Sequence, residues 1–104
     1  MSQHIFEWRE MMSLFRQSRI TVDHDTQTVR FEDAIRTKSF FNLLPIRDVS
    51  FGFAEFEQVK EYSDSGHQCL LLETATAKGI FLDSDVPRFE ELAEQFRAIH
   101  PPTE

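Results

Sequence analysis

Three groups of side chains in this chain have the types that chemistry uses. His67 and Cys69 lie two apart, and on a strand that spacing puts them on one face. A Cys–His pair can generate a thiolate nucleophile. No helix N-terminus follows the pair and no third group that would orient the imidazole is evident. Cys69 therefore reads as a small buried residue of a central strand. Asp23-His24-Asp25 has the residue types of a metal site. Consecutive strand residues point to opposite faces, however, and Asp-rich hairpin turns arise for backbone reasons alone. Arg30, Arg36, Lys38 and Arg47, with Phe31, Phe40 and Phe41 nearby, have the composition of a single-strand nucleic-acid platform. Glu32, Asp33 and Asp48 are interleaved with them and argue for ordinary solvated charges. With only Gly52, Gly66 and Gly79 present there is no phosphate-cradling loop, and no nucleophile motif occurs. The expectation is a non-catalytic protein with no metal or cofactor.

The charge balance is −7 over 104 residues. Residues 1–50 carry seven basic and seven acidic side chains, so the whole excess falls in residues 51–104. An acidic domain repels phosphate backbones, which disfavours nucleic acid as a partner. Glu55, Glu57, Glu90, Glu91 and Glu94 form a candidate docking face for a basic protein surface. The plain alternative is a solvated acidic face that serves solubility. Glu61 adds to the same field but, like the rest, shows no spacing of paired acid–base carboxylates.

Cys69 is the single cysteine, which rules out an internal disulfide and a cysteine-based zinc cage. No apolar run has the length that spans a bilayer. The first residues, Met1-Ser2-Gln3-His4-Ile5-Phe6-Glu7, lack the basic-then-apolar layout of a signal peptide. A soluble cytoplasmic setting is expected, with no membrane partner.

The elements that must position these residues follow from periodicity. Ile5, Trp8, Met12 and Phe15 make a helical stripe and predict an N-terminal helix over residues 3–17. Ile20 and Val22, then Val29 and Phe31, alternate with polar residues around Asp23–Gln27 and predict a hairpin over 19–32. Residues 33–38 read as a connection and 39–44 as a third strand. In Val49–Val59 the apolar parity changes from Val49, Phe51 and Phe53 to Ala54 and Phe56. That shift predicts a bulged, bent strand near residues 52–55, or two strands meeting at a corner. Residues 62–66 read as a polar loop. Gln68–Thr74 is apolar on both faces and reads as a central strand, and Gly79–Leu82 as the last one. Gly79 is expected at a position needing φ > 0. A helix over 85–99 follows, with Asp85 as a cap, Pro87 in its first turn and Phe89, Leu92, Ala93, Phe96 and Ile99 as its buried stripe.

Together these elements predict an α+β fold in one domain, residues 1–104. It consists of a curved antiparallel sheet of about six strands over residues 19–82, an N-terminal helix and a closing C-terminal amphipathic helix. A chain of this length buries roughly 65% of its unfolded surface, enough for one core, and eleven Phe residues are available to fill it.

This order resembles the pleckstrin-homology-like superfold, in particular its small bacterial members, over residues 19–100. Ile20-Thr21-Val22 with Thr28-Val29-Arg30-Phe31 looks like the opening hairpin. Leu44-Pro45-Ile46-Arg47-Asp48-Val49 looks like the joint before a long strand, and Gly79-Ile80-Phe81-Leu82 with Pro87 to Ile99 looks like the last strand and capping helix. The superfold has seven strands, where six are visible here, and the helix at 3–17 is extra. The resemblance implies a roll or barrel and a role in binding phosphoinositides or peptides, or in scaffolding. Lipid-binding members carry basic side chains at the first hairpin turn, whereas Asp23-His24-Asp25 stands there and repels phosphate. The expected function is protein binding or scaffolding, by a protein partner or by self-association. The alternative is a small apolar-ligand carrier or minor enzyme with a pocket between sheet and helices.

Overall fold

The computed structural model describes residues 3–9, 17–38 and 45–99. Among these residues seven antiparallel strands and one helix follow in chain order: β1 (Gln3–Arg9), β2 (Gln17–Asp23), β3 (Thr28–Thr37), β4 (Pro45–Gly52), β5 (Phe56–Asp64), β6 (His67–Thr74), β7 (Ala77–Leu82) and α1 (Phe89–Ile99). A single 3-10 turn, Phe53–Glu55, joins β4 to β5.

The N-terminal helix expected over 3–17 is overturned across residues 3–9, which form β1. Two periodicities compete there. The helical stripe would bury Ile5 with Trp8; the strand buries Phe6 and Trp8, two apart, and leaves Ile5 43% exposed. Pairing decides it: β2 offers a strand edge, and Phe6 lies opposite Ile20 and Trp8 opposite Ser18. Met12 and Phe15 lie outside the described residues, as does the strand expected at 39–44.

β1 to β4 form one meander and β5 to β7 a second, joined where Arg36 and Thr37 of β3 pair with Lys78 and Ala77 of β7. β3 makes this junction by changing partner along one side. Residues 28–32 pair with β2, and 36–37 pair with β7. Between them the register against β4 shifts, from Glu32 opposite Asp48 to Ile35 opposite Ile46. Asp33 sits in this bulge with φ +52°, a left-handed conformation Asp tolerates better than most side chains. The Ser18 hydroxyl donates to the Asp33 carbonyl at 2.9 Å and covers the point where β2 begins. Residues 33–37, expected as a connection, are therefore the second half of a long bent strand.

The bend expected near Gly52 takes the form of the alternative, two strands meeting at a corner. Gly52 ends β4 in extended conformation, its N–H bonded by Glu55 Oε2 at 2.6 Å. The Phe53 N–H reaches the Gln27 carbonyl at 2.9 Å. The change of parity in the sequence is the 3-10 turn, which lets Phe51 and Phe56 both face inward from different strands. Three further expectations are corrected. β5 extends to Asp64, and only Ser65 and Gly66, at φ 52° and 82°, form the turn, as a type I′ hairpin requires. Gly79 lies within β7 without positive φ. It faces inward, where a Cβ would stand 3.0 Å from the Phe81 ring and 3.4 Å from Ile35 Cγ1. Its smallness, not its backbone freedom, is what the position uses. Asp85 and Pro87 precede the helix, whose first carbonyl acceptor is that of Arg88, bonded by the N–H groups of Glu91 and Leu92.

One apolar cluster lies between the two meanders and under α1. Phe6, Phe31, Ile20, Val22, Val29, Leu70, Leu72, Leu92 and Phe96 are fully buried in it. Phe56 meets Phe96 of the helix edge to face at 5.4 Å, and Phe31, Phe51 and Phe56 pack with centroids 6.1–6.2 Å apart. Such pairs add about 0.5–1.5 kcal/mol each beyond area burial. These rings stand in the space between sheet and helix where the alternative reading places a ligand pocket. The sheet is not closed into a barrel. Among the described residues, β1, β4 and β5 each have one side without a strand partner.

Candidate interaction surfaces

α1 crosses the opening between the two meanders and is fastened at both ends. Arg88, just ahead of the helix, donates to the Ile5 carbonyl of β1, pairs with Glu91 at 3.0 Å and lies over the Phe6 ring at 4.8 Å from its centroid. At the other end Arg97 forks onto Glu61 of β5 with both bonds at 2.6 Å and lies 3.6 Å from Glu90. The two carboxylates raise the Arg97 pKa above its ordinary value, the Glu61 hydrogen bond being the largest cause. Glu90 and Glu91 in the first turn and Arg97 in the last also suit the helix dipole.

The five carboxylates of the expected docking face separate into two kinds. Glu55 caps Gly52, Glu90 is shared with Arg97, and Glu91 pairs with Arg88. Glu57 and Glu94 are exposed, and no hydrogen bond or ion pair within the described residues reaches them. Glu57 is the second residue of β5, whose outer edge carries no strand among the described residues.

The other singled-out residues are drawn into structural roles. Asp23 accepts from Gln3 Nε2 at 3.0 Å and from the N–H groups of Asp25 and Thr26. These bonds, the one from Gln3 foremost, hold its carboxyl below the usual range. His24 reaches Gln95 of α1 at 2.6 Å and stands edge-on to Phe53 and His4. The acidic hairpin turn thus ties the first meander to the helix. Among the described residues no group of three or more His, Cys, Asp or Glu side chains is placed to hold a metal ion.

His67 points Nδ1 at Asp83 Oδ1, 3.1 Å away. Asp83 is the orienting group that sequence reasoning did not find. The Gln68 N–H bond is the first cause of its lowered pKa, with His67 adding to it. Cys69 is buried at 3% exposure, its sulfur facing the His67 carbonyl at 3.8 Å. The arrangement ties β6 to the end of β7 and does not present a thiol.

The basic residues do not gather. Arg30 forks onto Asp48 at 3.0 and 2.6 Å, which raises its own pKa and lowers that of Asp48. Lys38 pairs with Glu73 at 2.5 Å and donates to the Thr74 carbonyl. Arg47 is exposed on β4, and Phe31 is buried and offers no stacking surface. Phe40 and Phe41 lie outside the described residues.

Two surfaces were missed. Across the outward face of β1–β4 runs a charge ladder in which Glu7, Arg19, Glu32 and Asp48 are directly opposite one another. Arg19 stands 3.2 Å from Glu7 and 3.3 Å from Glu32. Glu32 and Asp48 are like charges on one rung, a destabilising pair, and Arg30 contacts both. Across β5–β7 the middle of the outward face carries Tyr62, Cys69, Leu71, Ile80 and Leu82. The sequence signal for it was the run Cys69–Leu72, apolar at both parities.

No helix among the described residues is long and apolar enough to cross a membrane. Comparison with family models, with curated proteins and with solved structures finds no match.

Proposed function

We propose that this chain is a small non-catalytic protein-binding domain of the pleckstrin-homology-like class, which takes an extended basic segment of a partner protein along β5. The class is supported by the count and grouping of elements: four strands, then three, then a C-terminal helix laid across the opening. β1 takes residues 3–9 of the expected extra helix, and with the expected 49–59 strand divided into β4 and β5 the described residues hold seven strands. The single observation that carries the binding role is the outer edge of β5. It presents nine residues of backbone without a strand partner among the described residues, and such an edge is a template for an added strand. Exposed Glu57 at its start and Glu94 on the neighbouring helix select a basic segment over an acidic one. Asp23 and Asp25 place negative charge at the turn between β2 and β3, which repels phosphate there.

The test is titration of the full chain with basic and acidic peptides of equal length, read by calorimetry. Binding of the basic set, weakened about tenfold when Glu57→Lys and Glu94→Lys are combined, is the expected result. Peptides that leave the protein inert while a metabolite or lipid raises its melting temperature would establish the ligand-carrier reading instead.

A further inference from the structure

The outward faces of the two meanders differ in kind. That of β1–β4 carries the charge ladder described above. That of β5–β7 has at its middle two directly paired rows, Tyr62–Cys69–Leu82 and Lys60–Leu71–Ile80, apolar but for Lys60 at the β5 edge. Ile80 is 50% exposed, and Tyr62, Leu71 and Leu82 are half-buried. Cys69, the smallest of them, lies in the hollow between larger neighbours. Charged rows bound this band at each end. Gln58–Glu73–Lys78 closes one end; Asp64–His67, with Asp83 bonded to His67, closes the other.

From this pattern we propose that the outward face of β5–β7 docks a second copy of the chain about a two-fold axis, with the facing strands running in opposite directions. A two-fold interface places one patch on itself, so the patch must complement itself. Reversing the strand direction does this in every row. Leu71 of one copy comes over the hollow at Cys69 of the second copy, and Ile80 comes over its Leu82. The Lys60 ammonium meets the Tyr62 ring of the second copy, as it already lies 5.9 Å from the ring centroid of its own Tyr62. Glu73 and Lys78 come over His67 and Asp83, so that Lys78 meets a carboxylate and Glu73 an imidazole. With the strands parallel, the axis runs along β6, so Leu71 would face Leu71 and Glu73 would face Glu73, which opposes two protruding side chains and like charges. This surface is distinct from the β5 edge, so a dimer formed here leaves that edge open.

Sedimentation equilibrium of the full chain tests the proposal. The expected result is a reversible dimer of twice the chain mass. Ile80→Asp returns it to monomer, and Lys78→Glu raises its dissociation constant by about tenfold, both with unchanged circular dichroism. Should Ile80→Asp lose structure, Lys78→Glu decides, because Lys78 is exposed. A wild-type chain that stays monomeric up to its solubility limit overturns the proposal. A dimer that both variants leave intact overturns it equally, by placing the interface elsewhere. An Ile80→Asp chain that unfolds from a wild-type monomer would show that the chain's own residues cover this face.

Discussion

Arg97, in the last turn of α1, forks onto the Glu61 carboxylate of β5 with both bonds at 2.6 Å, while Arg88 holds the start of the same helix to Ile5 of β1. The helix thus spans from the first strand of one meander to the first strand of the other, across an opening that no strand pairing among the described residues closes. Bidentate geometry makes Arg97 the stronger fastening of the two. Replacing Arg97 by Gln is expected to lower the melting temperature slightly and to leave the fold intact. The coupling is checked by a double-mutant cycle with Glu61→Gln. Non-additive losses that shrink at high salt are expected, since an exposed pair is screened; full additivity would show that the contact contributes nothing.

Four carboxylates tie strands together and have folded pKa values below their ordinary ones: Asp23, Asp48, Asp83 and Glu73. A lowered folded pKa means the unfolded chain binds protons first on acidification. Their stabilisation is therefore complete above the ordinary values, 3.8 for Asp and 4.5 for Glu, and is lost as pH falls from there through the lowered folded values. Melting temperatures between pH 7 and pH 3 are expected to be flat down to that window and then fall. Asp48→Asn flattens part of the fall by removing the Arg30 pair; an unchanged profile in that variant would contradict the assignment.

Gly79 and Gly52 should differ in how strongly they respond to Ala. At Gly79 a Cβ meets the Phe81 ring at 3.0 Å, and that ring is itself packed edge-on to Trp8, so it yields only with repacking. A loss of about 1–2 kcal/mol is expected for Gly79→Ala. At Gly52 the nearest atoms are at 3.6 and 3.9 Å and the backbone is extended, so Gly52→Ala changes stability by less than about 1 kcal/mol. Urea unfolding of both variants measures the difference.

β1 is tested by adjacent residues. Phe6 is 1% exposed and Ile5 43%. Phe6→Ala should cost about 3–5 kcal/mol, and Ile5→Ala, on the outward face, within about 0.5 kcal/mol. A helix over 3–17 would put Ile5 in the core and reverse that order.

The physical reasons why parts of this fold were legible are specific. The hairpin at 19–32 and the stripe of α1 show one clean period each, so Ile20, Val22, Val29, Phe89, Leu92 and Phe96 are buried as their spacing requires. Residues 3–9 fit two periods at once, and only the presence of β2 as a pairing partner selects the strand. The bend in β3 rests on Asp33 adopting a left-handed conformation, which no local pattern announces. Of the candidate docking face, the carboxylates could be listed from composition. That Glu55, Glu90 and Glu91 are taken up by Gly52, Arg97 and Arg88 depends on the 3-10 turn and the helix start, which periodicity does not locate.

The protein-binding role is tested most directly by amide chemical shifts of isotope-labelled protein titrated with a basic extended peptide. The expected result is a contiguous set of shifts over residues 56–64 of β5 and the exposed carboxylate side of α1, with Tyr62–Cys69–Leu82 moving only insofar as Tyr62 lies on β5. Shifts confined to the Phe31–Phe56–Phe96 seam between sheet and helix, or no shifts at peptide saturation of the calorimetric cell, would contradict it.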